Sequence, residues 1–188
     1  MKYPLAFLLL SLSIFSIAAP AQDQKTAAPA FTLASVVNGQ IDNVEKQLLA
    51  AAEAMPEEKY NFSPDNLNIP GSRFKDVRSF ALQLKHVAAS NYAIWSAITG
   101  ETFPKDYYGG DGPASIKTKA EIIQFLKDSF ALGRRAAATL TPENMLQNAG
   151  KFKAARIDFA TFAVSHAFDH YGQIVEYLRI NGLAPASR

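Results

Sequence analysis

The most informative part of the chain is its last long apolar segment, residues 153–181, which reads KAARIDFATFAVSHAFDHYGQIVEYLRIN. Apolar residues recur in it at three- and four-residue steps, which is the spacing of one buried face of an amphipathic helix. Asn181 and Gly182 follow, with Pro185 shortly after, and this combination is typical of a helix C-terminus. We therefore predict a long helix over residues 153–181.

Three earlier segments show the same periodicity, over residues 31–54, 73–99 and 118–140. The third begins with a capping box, in which the Thr118 hydroxyl and the Glu121 carboxylate accept hydrogen bonds from free backbone amides. Strand signals are poor, because β-branched and polar residues do not alternate for more than a few positions. The sequence predicts an all-α fold, a four-helix bundle whose topology, up-down-down-up or up-down-up-down, stays open.

Two long connections join these helices. Residues 56–72 contain three prolines and Gly71, and residues 101–117 contain the run YYGGDGP, so neither can be regular helix throughout. We interpret the second as a mobile loop. Long loops at the end of a bundle often carry function, so both are candidate walls of a site.

The N-terminus has the features of a secretory signal peptide. Lys2 supplies a positive charge, residues 5–17 are apolar or serine, and Ala19-Pro20-Ala21 fits the small-x-small cleavage rule. The apolar run has 13 residues, whereas a membrane-spanning helix needs about 20. An uncleaved anchor is therefore the weaker alternative, and we expect cleavage near Ala21.

These features predict three segments: a signal peptide over 1–21, a flexible linker over 22–30 and a helical domain over 31–185. After cleavage no stable membrane anchor is expected. The chain of 188 residues contains no cysteine. An exported protein without disulfides fits the bacterial periplasm, or the outside of a bacterial cell, better than a eukaryotic secretory route.

The composition excludes several classes of function. Lysine and arginine total 19 against 17 aspartates and glutamates, without a basic cluster, so nucleic acid is not an expected partner. The absence of cysteine excludes thiolate metal ligands and cysteine nucleophiles. Motifs of serine hydrolases, phosphate-binding loops and dinucleotide-binding folds are also missing.

The sequence holds three histidines: His86 in the second predicted helix, and His166 and His170 in the fourth. Residues four apart share one helix face, so the pair could point at a single ion, and the helical periodicity turns that face inward. An unpaired buried polar group costs about 1–3 kcal/mol, which a shared cation would remove. His86 could supply a third nitrogen, leaving an open position as in catalytic zinc sites. The alternative is ordinary core histidines hydrogen-bonded to Asp or backbone groups.

The position of His86 conflicts with this interpretation, because it lies roughly opposite the main apolar stripe of its helix. Its own side carries small apolar residues such as Ala89 and Ala93. We therefore expect the second helix to bury two faces, with room for a metal ion beside the alanines.

Three other polar residues have two interpretations each. Gln173 could orient a ligand or close the end of the bundle. Asp169 could form a hydrogen bond that holds one of the metal-binding imidazoles in place, although its outward position favours a solvated charge. Asn91 lies in the main stripe of the second helix, where we favour a structural hydrogen bond over a role in a site.

The segment from His166 to Gly182, HAFDHYGQIVEYLRING, resembles the closing helix of the DinB/YfiT-like family. Residues 55–62 and 84–92 are similar to that family's first connection and its second-helix ligand segment, in the expected order. The resemblance implies a four-helix bundle with a divalent metal ion, commonly zinc or nickel. Carried over to this chain, the ligands are His86, His166 and His170.

Relatives with an assigned reaction are mostly thiol-dependent S-transferases, and many others are described as metal-dependent hydrolases. The resemblance thus implies either activity, on a small-molecule substrate that the sequence does not name. Export makes the thiol-dependent reaction less expected, because low-molecular-weight thiols are abundant in the cytoplasm.

The leading hypothesis is an exported divalent-metal-binding protein, either hydrolase or transferase, with a three-histidine site and no assigned general base. The alternative is a non-catalytic bundle that binds a small ligand or a partner protein, with a structural metal ion or none. A homodimer formed through helix faces is compatible with either.

Overall fold

A computed structural model describes residues 31–185 of the chain. Four long α-helices account for most of this part: α1 (Leu33–Ala54), α2 (Phe80–Thr99), α3 (Lys119–Ala138) and α4 (Arg156–Ile180). Short 3-10 turns interrupt the connections at Glu57–Lys59, Pro64–Leu67 and Lys105–Tyr107. No strand occurs in residues 31–185, so the all-α prediction is confirmed. The predicted signal peptide and linker lie outside the described residues.

Polar side chains cap the first and third helices, and the cap of the third was predicted from the sequence. Thr32 accepts a hydrogen bond from the Ser35 amide at the start of α1, at 3.0 Å. At the start of α3, Glu121 Oε2 accepts from the backbone amide of Thr118 at 2.9 Å, while the Thr118 hydroxyl accepts from the Glu121 amide at 3.3 Å. The predicted capping box of the third helix is therefore confirmed.

The predicted start of the second helix at residue 73 is wrong, since α2 begins at Phe80. Asp76 has a φ of 66°, in the left-handed region, which a continuous α-helix cannot contain. Ser79 then caps α2 by accepting from the Leu82 amide. The apolar residues Phe74 and Val77 keep helical spacing in a segment that folds instead as a turn.

Contacts between helices show their relative directions. Along α2 and α3, Asn91 contacts Ser129, and four residues later Trp95 lies against Gly133, so these two helices run parallel. A Cβ atom added at Gly133 would lie 2.9 Å from Trp95 Nε1. Glycine is therefore needed here for the close approach of α3 to the indole.

The other pairs complete the topology. Gln83 near the start of α2 contacts Gln173 near the end of α4, so α2 and α4 are antiparallel. Arg134 near the end of α3 pairs with Asp42 near the middle of α1, and Lys119 at the start of α3 lies 3.6 Å from Glu53 at the end of α1, so α1 and α3 are also antiparallel.

Both α1 and α2 pack against α3 and α4, which places α1 diagonally across from α2. The bundle is therefore up-down-down-up, which settles the topology that the sequence left open. Helix α2 is buried on nearly all sides, as expected for a helix that contacts two neighbours and the 101–117 loop. Within residues 31–185, none of the helices combines the length and the apolar character needed to cross a bilayer.

Candidate metal centre

The three histidines meet between α2 and α4. The ring centroids of His166 and His170 lie 4.5 Å apart. The centroid of the His86 ring lies 5.2 Å from that of His166 and 4.8 Å from that of His170. One nitrogen from each ring lies within 4.8 Å of the other two. His86 thus converges with two histidines that lie 80 positions or more away in the chain, as predicted, because α2 and α4 pack as antiparallel neighbours.

The conflict over His86 disappears in the folded chain, because α2 has two buried polar faces. Asn91 points to α3, where its Nδ2 donates to Ser129 Oγ at 3.1 Å. Gln83 and His86 point to α4. The prediction that the second helix buries two faces is confirmed, and so is the structural hydrogen bond of Asn91.

The loop over residues 101–117 forms a wall of this centre. The His86 ring donates from Nδ1 to the Gly110 carbonyl oxygen, which leaves Nε2 of His86 as the ring nitrogen with an available lone pair. One position earlier, Lys85 is only 6% exposed, and its Nζ donates to the Pro113 carbonyl at 2.8 Å. The two neighbouring side chains therefore hold the loop against α2.

The His170 ring is held by side-chain amides. Its Nδ1 lies 2.6 Å from Gln83 Oε1, and Gln83 Nε2 donates to Gln173 Oε1 at 2.9 Å. Gln173 Nε2 in turn donates to Asp169 Oδ2 at 3.2 Å. Gln173 thus contacts another amide rather than the histidine rings. Asp169 is exposed, as its outward position predicted, but two amides connect it to His170.

Gln83 was not identified from the sequence. It is 3% exposed and lies three residues before His86 in a helix that is otherwise rich in apolar residues. A polar residue in that setting needs a partner, which was an available signal. Its partners are about 90 residues away, however, and depend on how α2 and α4 pair.

His166 differs from the other two histidines, because its Nδ1 is buried and has no hydrogen-bond partner. Its Nε2 lies 3.2 Å from Nε2 of His170. Burial lowers the pKa of His166, and the neighbouring His86 lowers it further. Burial likewise lowers the pKa of His170 to about 4, with smaller contributions from His166 and His86.

These properties fit a divalent cation. Metal ligation needs neutral imidazoles, and the lowered pKa values favour the neutral forms of His166 and His170 at neutral pH. The Nε2 atoms of His166 and His170 lie 3.2 Å apart, close enough for both to reach one cation, for which imidazole is a common ligand. Three protein nitrogens also leave at least one position for a substrate.

Comparison with protein families agrees with this arrangement. The family model described as the DinB superfamily matches residues 40–174, which include all three histidines and most of the bundle. A search of the curated proteins finds no match to the chain. The match covers well over half of the chain, and we conclude that the protein belongs to the DinB superfamily.

Proposed function

We propose that this protein is an exported metal-dependent hydrolase that holds one divalent cation, zinc or nickel, with His86, His166 and His170. The observation that carries the proposal is the convergence of three imidazoles from two helices, with nitrogens within 4.8 Å of one another. The neutral rings of His166 and His170, the partly buried position and membership of the DinB superfamily support it further.

Bound at this position, a divalent cation supplies Lewis acidity, which polarises a carbonyl group or lowers the pKa of a water molecule. The chain's own residues orient the rings: the Gly110 carbonyl holds His86, and Gln83 holds His170. Phe162 lies beside His166, with ring centroids 5.6 Å apart, and gives the centre one apolar border. The general base is not assigned.

Hydrolysis is preferred over thiol-dependent transfer because export, itself part of this proposal, separates the protein from cytoplasmic thiols. A screen of ester and amide substrates against a screen with added low-molecular-weight thiols divides the two reactions. We expect turnover by the zinc- or nickel-loaded protein without any thiol. Turnover only in the presence of a thiol would contradict the hydrolase assignment.

Export has its own test. The full-length chain would be produced in a bacterium and the protein of the periplasmic and extracellular fractions sequenced from its N-terminus. We expect Gln22 as the first residue, after cleavage at Ala21. Retention of Met1 in a cytoplasmic fraction would contradict export and leave the metal centre untouched.

Metal content tests the centre itself. Mature protein purified without chelators would be analysed by elemental mass spectrometry, together with His166→Ala, His170→Ala and the control Ser129→Ala. We expect about one ion per chain in the wild type and the control, and much less in both histidine variants. A wild-type protein that takes up neither zinc nor nickel would refute the proposal.

A further inference from the structure

We propose that Gln83, Gln173 and Asp169 form a positioning relay that fixes the tautomer of His170, so that Nε2 is the nitrogen offered to the cation. The importance of this relay for metal binding rests on the proposed function. Its effect on the tautomer does not, because every contact involved lies within the protein.

The direction of the hydrogen bonds in the relay is set by Asp169, its solvent-exposed member. A carboxylate only accepts hydrogen bonds, so Asp169 must face the NH₂ group of the Gln173 amide, as observed at 3.2 Å. The oxygen of that amide then faces away from Asp169, towards Gln83. This first contact therefore determines how the second amide is oriented.

The Gln83 amide continues the same direction of hydrogen bonding from α4 to α2. Gln83 donates from Nε2 to Gln173 Oε1 at 2.9 Å and so presents its own oxygen to His170. His170 Nδ1, at 2.6 Å from that oxygen, must carry the proton. A neutral imidazole has one N–H, so Nε2 of His170 is left with its lone pair.

The tautomer matters because a nitrogen that carries a proton cannot bind a metal ion. A ring that samples both tautomers offers the ligand nitrogen for only part of the time, and its apparent affinity falls by that fraction. Hydrogen bonds outside a metal centre commonly remove this loss. Gln83 is 3% exposed, so water cannot easily replace it.

The chain contains a matched control for the outer half of the relay. On α3, Gln124 Nε2 donates to Asp128 Oδ1 at 2.8 Å, with the same four-residue separation as Asp169 and Gln173. Both carboxylates are exposed. Gln124 makes no hydrogen bond to a histidine, so Asp128→Asn repeats the chemical change of Asp169→Asn without touching the relay.

The first experiment measures the tautomer of His170 in metal-free protein at about pH 7.5, where the ring is neutral. The imidazole ¹⁵N chemical shifts distinguish the Nδ1–H tautomer from the Nε2–H tautomer. We expect His170 to carry its proton on Nδ1 in the wild type and in Asp128→Asn. Asp169→Asn should shift it towards a mixture, because an amide at 169 can face Gln173 either way round. An Nε2–H tautomer in the wild type, or no change in Asp169→Asn, would overturn the relay.

The second experiment measures zinc affinity by competition with a chelator. Gln83→Leu, which keeps the size and removes the acceptor, should weaken binding about 10–100-fold. Gln83→Glu should restore it, because a carboxylate also accepts from Nδ1. Wild-type affinity in Gln83→Leu, at equal folded content, would overturn the relay. A wild type with the expected tautomer but no zinc binding would contradict the proposed function instead.

Discussion

Helix α2 buries polar side chains on two faces, and the two contacts differ in a way that separates structure from function. Towards α3, Asn91 donates to Ser129 Oγ at 3.1 Å, and Ser129 donates to the Leu126 carbonyl at 2.7 Å. Towards α4, the His86 ring lies against the rings of His166 and His170, and the Nε2 atoms of these two face each other at 3.2 Å. His166 Nδ1 has no partner at all.

This difference shows how a buried polar group that stabilises the fold can be distinguished from one that indicates a bound ligand. The Asn91–Ser129 contact is satisfied within the protein, so it stabilises one packing of α2 on α3 and needs no ligand. In the histidine cluster, Nε2 of His166 and Nε2 of His170 have only each other as partners, and Nδ1 of His166 has none. Surplus acceptors that converge on one point are what a cation requires, whereas a satisfied pair gives it nothing.

The largest effect should come from the tight α2–α3 contact. Gly133→Val places a branched side chain against the Trp95 ring, where even a Cβ atom would lie 2.9 Å from Nε1. We expect a loss of about 3 kcal/mol in the free energy of unfolding, measured with urea, because overpacking strains both helices. The control Gly172→Ala, on the exposed face of α4 with open space around it, should be neutral or slightly stabilising.

Removal of the satisfied pair should have the next largest effect. Asn91→Ala leaves Ser129 without its donor, and we expect a loss of about 1–3 kcal/mol in the free energy of unfolding. Zinc affinity of the folded protein should stay unchanged, measured by chelator competition. A large fall in affinity would show that the two faces of α2 are not independent.

The two faces should also respond differently to pH. The pKa of His170 is about 4 in the folded protein, whereas a histidine in the unfolded chain has a pKa of about 6.5. The unfolded chain therefore takes up a proton between these values, while the folded one does not. Stability of the metal-free protein should be fully present above about pH 6.5 and fall as the pH drops towards 4.

Urea unfolding at several pH values measures this dependence. His170→Ala should show a shallower fall than the wild type over the same range. Asn91→Ala should keep the wild-type dependence, because neither member of the Asn91–Ser129 pair titrates there. Equal slopes in His170→Ala and the wild type would contradict the assignment of the pH dependence to His170.

The smallest effect should come from a surface ion pair remote from both contacts. Arg135 Nη2 lies 2.8 Å from Glu101 Oε2, and both side chains are more than a third exposed. We expect Arg135→Ala to cost less than about 1 kcal/mol and the loss to shrink at high salt. Zinc affinity should not change. That result would show that the Glu101 end of the 101–117 loop, unlike its Gly110 end, does not support the metal centre.

Much of the fold could be predicted from sequence, because helical periodicity and capping residues act locally. Four helices were expected and are found, and the Thr118 capping box is where the pattern placed it. The start of α2 was misplaced, since apolar spacing continues through residues 73–79 while Asp76 adopts a left-handed conformation. Periodicity shows which face is buried but not which way a neighbour runs, so the topology needed the structure.

The candidate centre was predictable for a related reason. His166 and His170 share one face of one helix, and only one other histidine was left to join them. Gln83 could not be assigned in the same way. Its contacts with Gln173 and His170 arise from the antiparallel pairing of α2 with α4, and nothing local in the sequence encodes them.

The most direct test of a shared cation is a crystal of the mature protein soaked with zinc and measured at the zinc absorption edge. We predict one strong anomalous peak between α2 and α4, about 2.0–2.1 Å from a nitrogen of each of His86, His166 and His170. A crystal that shows no zinc at this position, or zinc bound by only one of the three rings, would contradict the account.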